Sequence, residues 1–300
     1  MIPTPEIHAL FALLDDPAPP VQQAVRSRLV ELGDEAIPLL RSLNADGQVP
    51  AAVFEARIGE LRLARALARM QPVAAAGDDP IDLEEAVYGI MRFGYPDANI
   101  RQCRAVLDEI ADDVRVLAGV RATAVERFMK LRAFVFNDLG YAGNRTNYYD
   151  PDNTYFNKVL EHRRGIPITL SVLLILVGAR LSIPLTGIGM PMHFLLRYDD
   201  AVRSFYVDAF NGGIILTEDQ CRTMITSSGA QFATDILRAV GHRDIIERMW
   251  RNLYLALQQG GDADEAARVG RIITLINPEF HISTHHSDDT EEGITDDDEE

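Results

Sequence analysis

The sequence predicts an α+β chain: helices come first, a small antiparallel sheet follows, and one apolar helix joins the two. Three observations carry this. The stretch Arg163 to Ser182, RRGIPITLSVLLILVGARLS, stays apolar through Val177 with only Thr169 and Ser171 interrupting it, so it predicts a helix buried on most sides. Upstream of it, apolar residues recur at spacings of three and four. Downstream the period falls to two, the signature of strands whose side chains alternate between faces.

Taken in order, Glu6 to Leu43 reads as paired helices: IHALFALLDD, a turn at Pro17 to Pro20, VQQAVRSRLVELG, and DEAIPLLRSL after Gly33. Val21, Ala24, Val25, Leu29 and Leu32 form one apolar stripe, and the pattern resembles a HEAT-type repeat. A single such unit cannot bury its own face. It is expected to lean on a helix from Val53 to Met70, where Phe54, Ile58, Leu61 and Leu67 can receive it. PVAAAGDDP reads as a linker. A second helical block follows, with Asp79 or Asp82 capping LEEAVYGIMRF, then Ile100 to Leu117, and Thr123 to Leu139 closed by Gly140.

Next comes GYAGNRTNYYDPDNTYFNKVL, whose Asn, Asp, Gly and Pro content marks turns. Tyr141, Tyr148, Tyr149 and Tyr155 argue for an ordered loop there. In the central helix, Gly165 and Pro167 punctuate the start, and proline is tolerated at the first helical position because its missing N–H would be unpaired there. LTGIGM, HFLLRY, SFYVDAF and GIILT read as short antiparallel strands. Thr217 with Gln220 makes a capping box for a helix into Met224. Ile245 to Leu257 and Glu265 to Ile276, closed by Asn277 and Pro278, form a pair shaped like one tetratricopeptide unit. The expected division is 1–75 HEAT-like, 80–240 core with its helical lead-in, 243–280 tetratricopeptide-like, and 281–300 an acidic disordered tail.

Composition bounds the function. The 300 residues are 47% hydrophobic and 25% charged, as in a globular chain. The net charge of −16 is lopsided: SDDTEEGITDDDEE supplies nine carboxylates, and the remainder carries about −7. Nucleic acid is not expected as a partner, because that affinity rests on basic patches. The start of the chain shows no signal-peptide pattern and no segment reaches membrane-spanning length, so the expectation is a cytoplasmic protein without membrane contact. Cys103 and Cys221 lack metal-type spacing, and both read as buried thiols. His281, His285 and His286 read as part of a solvated tail, so no metal and no cofactor are expected.

The residues that point to chemistry are the start of the central helix, His193 at the start of the second strand, and Asp208 at the end of the third. A cysteine nucleophile needs this arrangement: a helix N-terminus to lower a thiol pKa, an imidazole from a neighbouring strand, and a carboxylate to fix the imidazole tautomer. From spacing alone, the favoured reading of His193 and Asp208 is a structural hydrogen-bonded pair. RRGIPITLSVLLILVGARLSIPLTGIGMPMHFLLRY with FYVDAFNGG, preceded by GNRTNYYDPDN and IDLEEAVYGI, resembles the SirB family of the bacterial transglutaminase-like superfamily over roughly Ile81 to Arg222. The resemblance implies a papain- or transglutaminase-like core, a central buried helix on a small antiparallel sheet.

The superfamily pattern has Gly, any residue, Cys at the helix start, with a Gly-Ile-Pro-like break later in the chain. Ser182-Ile183-Pro184 supplies that break, and counting back from it puts Pro167 at the nucleophile position. His193 matches the histidine and Asp208 the acid. What the resemblance implies is therefore a triad without its nucleophile. On a helix of 3.6 residues per turn, Thr169 lies about 200° from position 167, while Ser171 lies within about 40° but one turn deeper. Ser171 is the weak substitute, and a hydroxyl in an apolar helix commonly bonds the carbonyl one turn back.

Asn144, Arg145, Tyr148 and Tyr149 are candidates for a cleft mouth that holds a peptide, with Arg163 and Arg164 as cationic neighbours. Alternatively, the loop simply satisfies its own turns. Two functions follow: a non-catalytic domain that recognises a protein or peptide, or a cysteine-independent hydrolase or amide-processing enzyme using His193 and Asp208.

Overall fold

The computed structural model describes residues 4–14, 16–33, 35–77, 80–227 and 234–281. Of the expected disordered tail, residues 282–300, with His285 and His286, lie outside the described residues, as does Asp79. Four helices open the chain: α1 (Thr4–Ala12), α2 (Pro19–Leu32), α3 (Ala36–Leu43) and α4 (Ala51–Ala75). Val25, Leu29, Ile37 and Leu40 bury against Phe54, Ile58 and Leu61 of α4 in a core of their own. Leu67 does not join it. The second half of α4 turns the other way, so Leu63, Ala66, Met70 and Val73 enter the main core, with Leu67 packed against that core. The expected linker is shorter than the sequence suggested, because α4 runs through Pro72 to Ala75.

Helices α5 (Leu83–Gly94), α6 (Ile100–Ala118) and α7 (Ala124–Ala133) follow. Asp82 caps α5 by accepting from the Glu85 N–H at 3.1 Å. Thr123 and Glu126 form a reciprocal capping box on α7. The chain then widens into one π-helical turn, Phe134–Asp138, and leaves it through Gly140 at φ 73°. Two short bridging strands, β1 (Ala142–Gly143) and β2 (Arg164–Gly165), pair in parallel around the loop and helix α8 (Phe156–His162).

The central helix is α9 (Pro167–Arg180), and every residue from Pro167 to Gly178 is buried. Each large aliphatic side chain sealed in this way is stabilising by about 1.5–3 kcal/mol. Strands β3 (Leu185–Met190), β4 (His193–Asp199), β5 (Ser204–Asp208), β6 (Ile214–Leu216) and β7 (Ala239–Val240) form one antiparallel sheet in the order β6-β5-β4-β3-β7. Alternation along β4 sorts the core. Phe194, Leu196 and Tyr198 face the main core with α9, and Leu195 faces a second cluster with Ile188, Tyr206 and Cys221.

That second cluster is closed by α10 (Glu218–Ser227), whose start carries the Thr217–Gln220 capping box in both directions. Helices α11 (His242–Gln259) and α12 (Ala263–Ile276) complete the fold. They are not an outlying appendage: Ile246, Met249, Trp250, Leu253, Val269 and Ile273 are all in the main core. Among the described residues, no helix is long and apolar enough to cross a membrane, and no cluster of His, Cys, Asp and Glu can hold a metal ion.

Candidate functional site

A cavity of about 400 Å³ opens where the N-terminus of α9, the β3–β4 turn, the Tyr148–Asp150 segment and α11 meet. Its first wall is the start of α9. Ile166 sits extended before the helix at φ −92° and ψ 169°, and its N–H donates to Thr169 Oγ1 at 3.1 Å. The Thr169 hydroxyl in turn donates to the Asn153 carbonyl at 2.8 Å, tying the helix start to the loop. An isoleucine side chain cannot accept a hydrogen bond, and Pro167 has no N–H. The first turn therefore meets the cavity with no side-chain cap on its amides.

The second wall is the start of β4. His193 Nε2 lies 2.9 Å from Asp208 Oδ2. Asp208 is fully buried and takes two further bonds from Asn211, its amide N–H at 3.1 Å and its side-chain Nδ2 at 2.7 Å. Burial opposes ionisation of Asp208, but the hydrogen bond and charge of His193 together with the Asn211 bonds outweigh it, holding the carboxyl below its usual value. An ionised Asp208 makes His193 Nε2 the donor and leaves Nδ1 for a group in the cavity. The imidazole, 17% exposed, stands edge-on to Phe210 at 6.4 Å. Gly143 allows this placement. A Cβ there would lie 2.7 Å from the Phe210 carbonyl oxygen and 2.5 Å from its ring.

Among the sequence candidates, the structure brings Pro167, His193, Tyr148 and Tyr149 around one cavity, with Asp208 behind His193. Ser171 does not reach it. Its hydroxyl is buried and donates to the Pro167 carbonyl at 2.8 Å. Asn144 is committed to the loop, donating to Asn153 Oδ1 at 2.9 Å and accepting from the Asn147 N–H at 3.1 Å. Arg145 binds the Asn211 side chain and lies 5.2 Å over the Phe210 ring, so it braces the residues behind the imidazole. Arg164 donates to the Gly140 and Arg163 carbonyls at 2.9 and 2.8 Å, away from the cavity mouth. Both cysteines are buried, and burial with the nearby Asp208 charge pushes the Cys221 thiol up to about 11.

Reading the sequence missed the third wall. Asp244, Glu247, Arg248, Arg251, Asn252 and Leu255 of α11 line the cavity, and their four-three spacing was a legible helix face whose partner was not. Arg248 donates through Nη2 to the Met190 carbonyl at 2.8 Å and the His193 carbonyl at 2.6 Å. It thereby clamps both ends of the β3–β4 turn. Met192, at the tip of that turn with φ 59° and 88% exposed, completes the mouth.

The transglutaminase-like superfamily profile matches residues 101–251, just over half of the chain. A UPF0162 protein of Xylella fastidiosa is 33% identical over 213 residues, covering 68% of this chain and 75% of the relative. Protein SirB1 of Salmonella typhimurium is 24% identical over 160 residues, 51% of this chain and 58% of the relative. F-box only protein 21 of Mus musculus is 33% identical over 127 residues, 40% of this chain but 20% of that much longer protein. No solved structure matches. With a buried helix on an antiparallel sheet, and a histidine and aspartate paired beside the helix start, the chain belongs to the transglutaminase-like superfamily and, within it, to the SirB family.

Proposed function

We propose that this chain is a non-catalytic member of its superfamily, whose cleft recognises a protein or peptide instead of turning it over. The observation that carries the reading is Pro167. At the start of α9 a reacting side chain would sit beside His193, and its backbone N–H would be placed to stabilise an oxyanion. Proline supplies neither. Ser171 cannot substitute, because its hydroxyl is bonded one turn down the helix at the Pro167 carbonyl. Cys221, with its thiol raised and fully buried, is no nucleophile either. A second reading, a hydrolase in which His193 activates water, draws on the intact 2.9 Å pair and the ionised Asp208.

One experiment separates the two. Purified protein is incubated with peptide amides, with amine donors and with simple esters, beside the His193→Ala variant. The recognition reading expects no turnover above background in either protein. Turnover that disappears with His193→Ala overturns it in favour of the hydrolase.

A further inference from the structure

The charges around the cavity are unevenly matched. Glu247 Oε1 accepts from Arg251 Nη2 at 2.7 Å and from Asn277 Nδ2 at 2.8 Å. Asp150 accepts from the Asp152 N–H and the Asn147 side chain, each at 2.9 Å. Asp244 accepts from the Gly241 N–H at 3.0 Å. Each acid on the wall therefore has a donor from the protein. Of the two guanidiniums on the wall, Arg251 has Glu247, whereas Arg248 meets protein acceptors only through Nη2, both of them neutral carbonyls, and lies 5.6 Å over the Phe194 ring. Among the described residues, no carboxylate lies within ion-pair distance of it. Burial works against its charge, and a half-buried guanidinium without a counter-ion is a costly arrangement unless something else supplies the anion. Beside it stand the uncapped first turn of α9, the positive end of that helix, and an apolar surface of Tyr148, Tyr149 and Leu255.

We propose that the cavity is a carboxylate-binding site, in which Arg248 takes the carboxylate of an acidic peptide segment and Tyr148, Tyr149 and Leu255 take the apolar side chain next to it. The inference rests on the recognition reading of the cleft and adds the chemistry of what is recognised. A guanidinium with free N–H groups suits a carboxylate by charge-assisted, fork-shaped hydrogen bonding. The tyrosines supply rigid apolar area with little conformational entropy to lose.

A segment of that chemistry exists in this chain. Residues 287–300 read SDDTEEGITDDDEE, with Ile294 set among nine carboxylates. The last described turn points to the same place. Phe280 packs edge-on against Tyr254 at 5.4 Å and lies 5.0 Å under the guanidinium of Arg251, a cavity-wall residue. The thirteen residue-to-residue steps from His281 to Ile294 can span up to about 43 Å when extended. The same acidic chemistry could come from a segment of another protein.

The test uses the full chain, and a full-length version in which the nine acids between Asp288 and Glu300 are changed to Asn or Gln. The probes are the free peptide SDDTEEGITDDDEE and the same peptide with every acid replaced by its amide. At fixed ionic strength, the neutralised chain should bind the acidic peptide at least about tenfold more tightly than the amide peptide. Arg248→Gln should remove that preference, and Tyr149→Ala should weaken binding several-fold with an unchanged melting temperature. Weaker binding by the unaltered chain assigns the site to its own segment through competition, and equal binding assigns it to a segment of another protein. No preference for the acidic peptide overturns the proposal, as does a full preference kept in folded Arg248→Gln. If Arg248→Gln does not fold, unchanged affinity in Tyr149→Ala overturns it instead. Hydrolysis of a peptide amide would overturn the recognition reading alone, leaving the carboxylate site to stand or fall on these affinities.

Discussion

The two ends of α9 are built on opposite plans. At the C-terminal end, Arg180 holds Glu84 at 2.7 Å and Asp108 at 2.6 Å, and Glu84 also binds Tyr88 at 2.9 Å and Arg104 at 3.1 Å. A cation in the last turn complements the helix dipole, and the carboxylates around it leave no charge unmatched. At the N-terminal end, the cap is an isoleucine, the first residue is a proline, and the cavity-wall guanidinium of Arg248 hydrogen-bonds two carbonyls and lies 5.6 Å over the Phe194 ring. The difference teaches how to tell support from site in one element. A helix end whose polar groups are all partnered within the chain holds the fold together, and one left unsaturated at a cavity is where a ligand can contribute.

The largest way to test that contrast is at the saturated end. Glu84→Ala removes the acid at the centre of a partly buried network and should lower unfolding free energy by about 3 kcal/mol. Acidic-peptide affinity in the folded fraction should stay within twofold of wild type. Loss of binding in folded Glu84→Ala would mean the two ends are coupled and the contrast is false.

A smaller effect is expected at Asp208, and its pH dependence is fixed in sign. A carboxyl held below its usual value contributes stability that is present above the unfolded pKa of about 3.9 and lost as pH falls through the folded value. Asp208→Asn should therefore be less stable than wild type by about 1–2 kcal/mol at neutral pH. Below about pH 4 the gap should shrink. A gap that instead widens below about pH 4 would show that Asp208 is protonated in the fold. The smallest effect is on a thiol installed at the unsaturated end. In Pro167→Cys, the pH midpoint for alkylation should fall below the ordinary value of about 8.5, because the helix N-terminus and His193 favour the thiolate. A midpoint at or above that value would mean position 167 does not face the imidazole.

Much of the fold was legible in the sequence because periodicity and capping are local. The apolar run of α9, the alternation of β4, the Asp82 and Thr123 caps and the Thr217–Gln220 box all depend on residues within a turn of one another, and each is present. The division of labour in α4 was not legible. Leu61 and Leu67 are equally apolar, and only the packing of two cores on one helix sends them to different sides. Within the loop, residue type did not separate Tyr148 and Tyr149, which reach the cavity, from Asn144 and Arg164, whose polar groups are committed to nearby backbone and side chains.

By itself the sequence determined the class of the fold and the family, because both are written in short-range pattern and residue identity. Tertiary structure alone decided that His193 and Asp208 meet at 2.9 Å with Asn211 beneath them. It also decided that α11, distant in sequence, supplies the wall carrying Arg248. The physical reason is that a charge's role depends on what faces it. In the sequence Arg248 is one of several arginines on an amphipathic helix. In the fold it is the one placed over a cavity against two carbonyls, with no acid among the described residues to answer it.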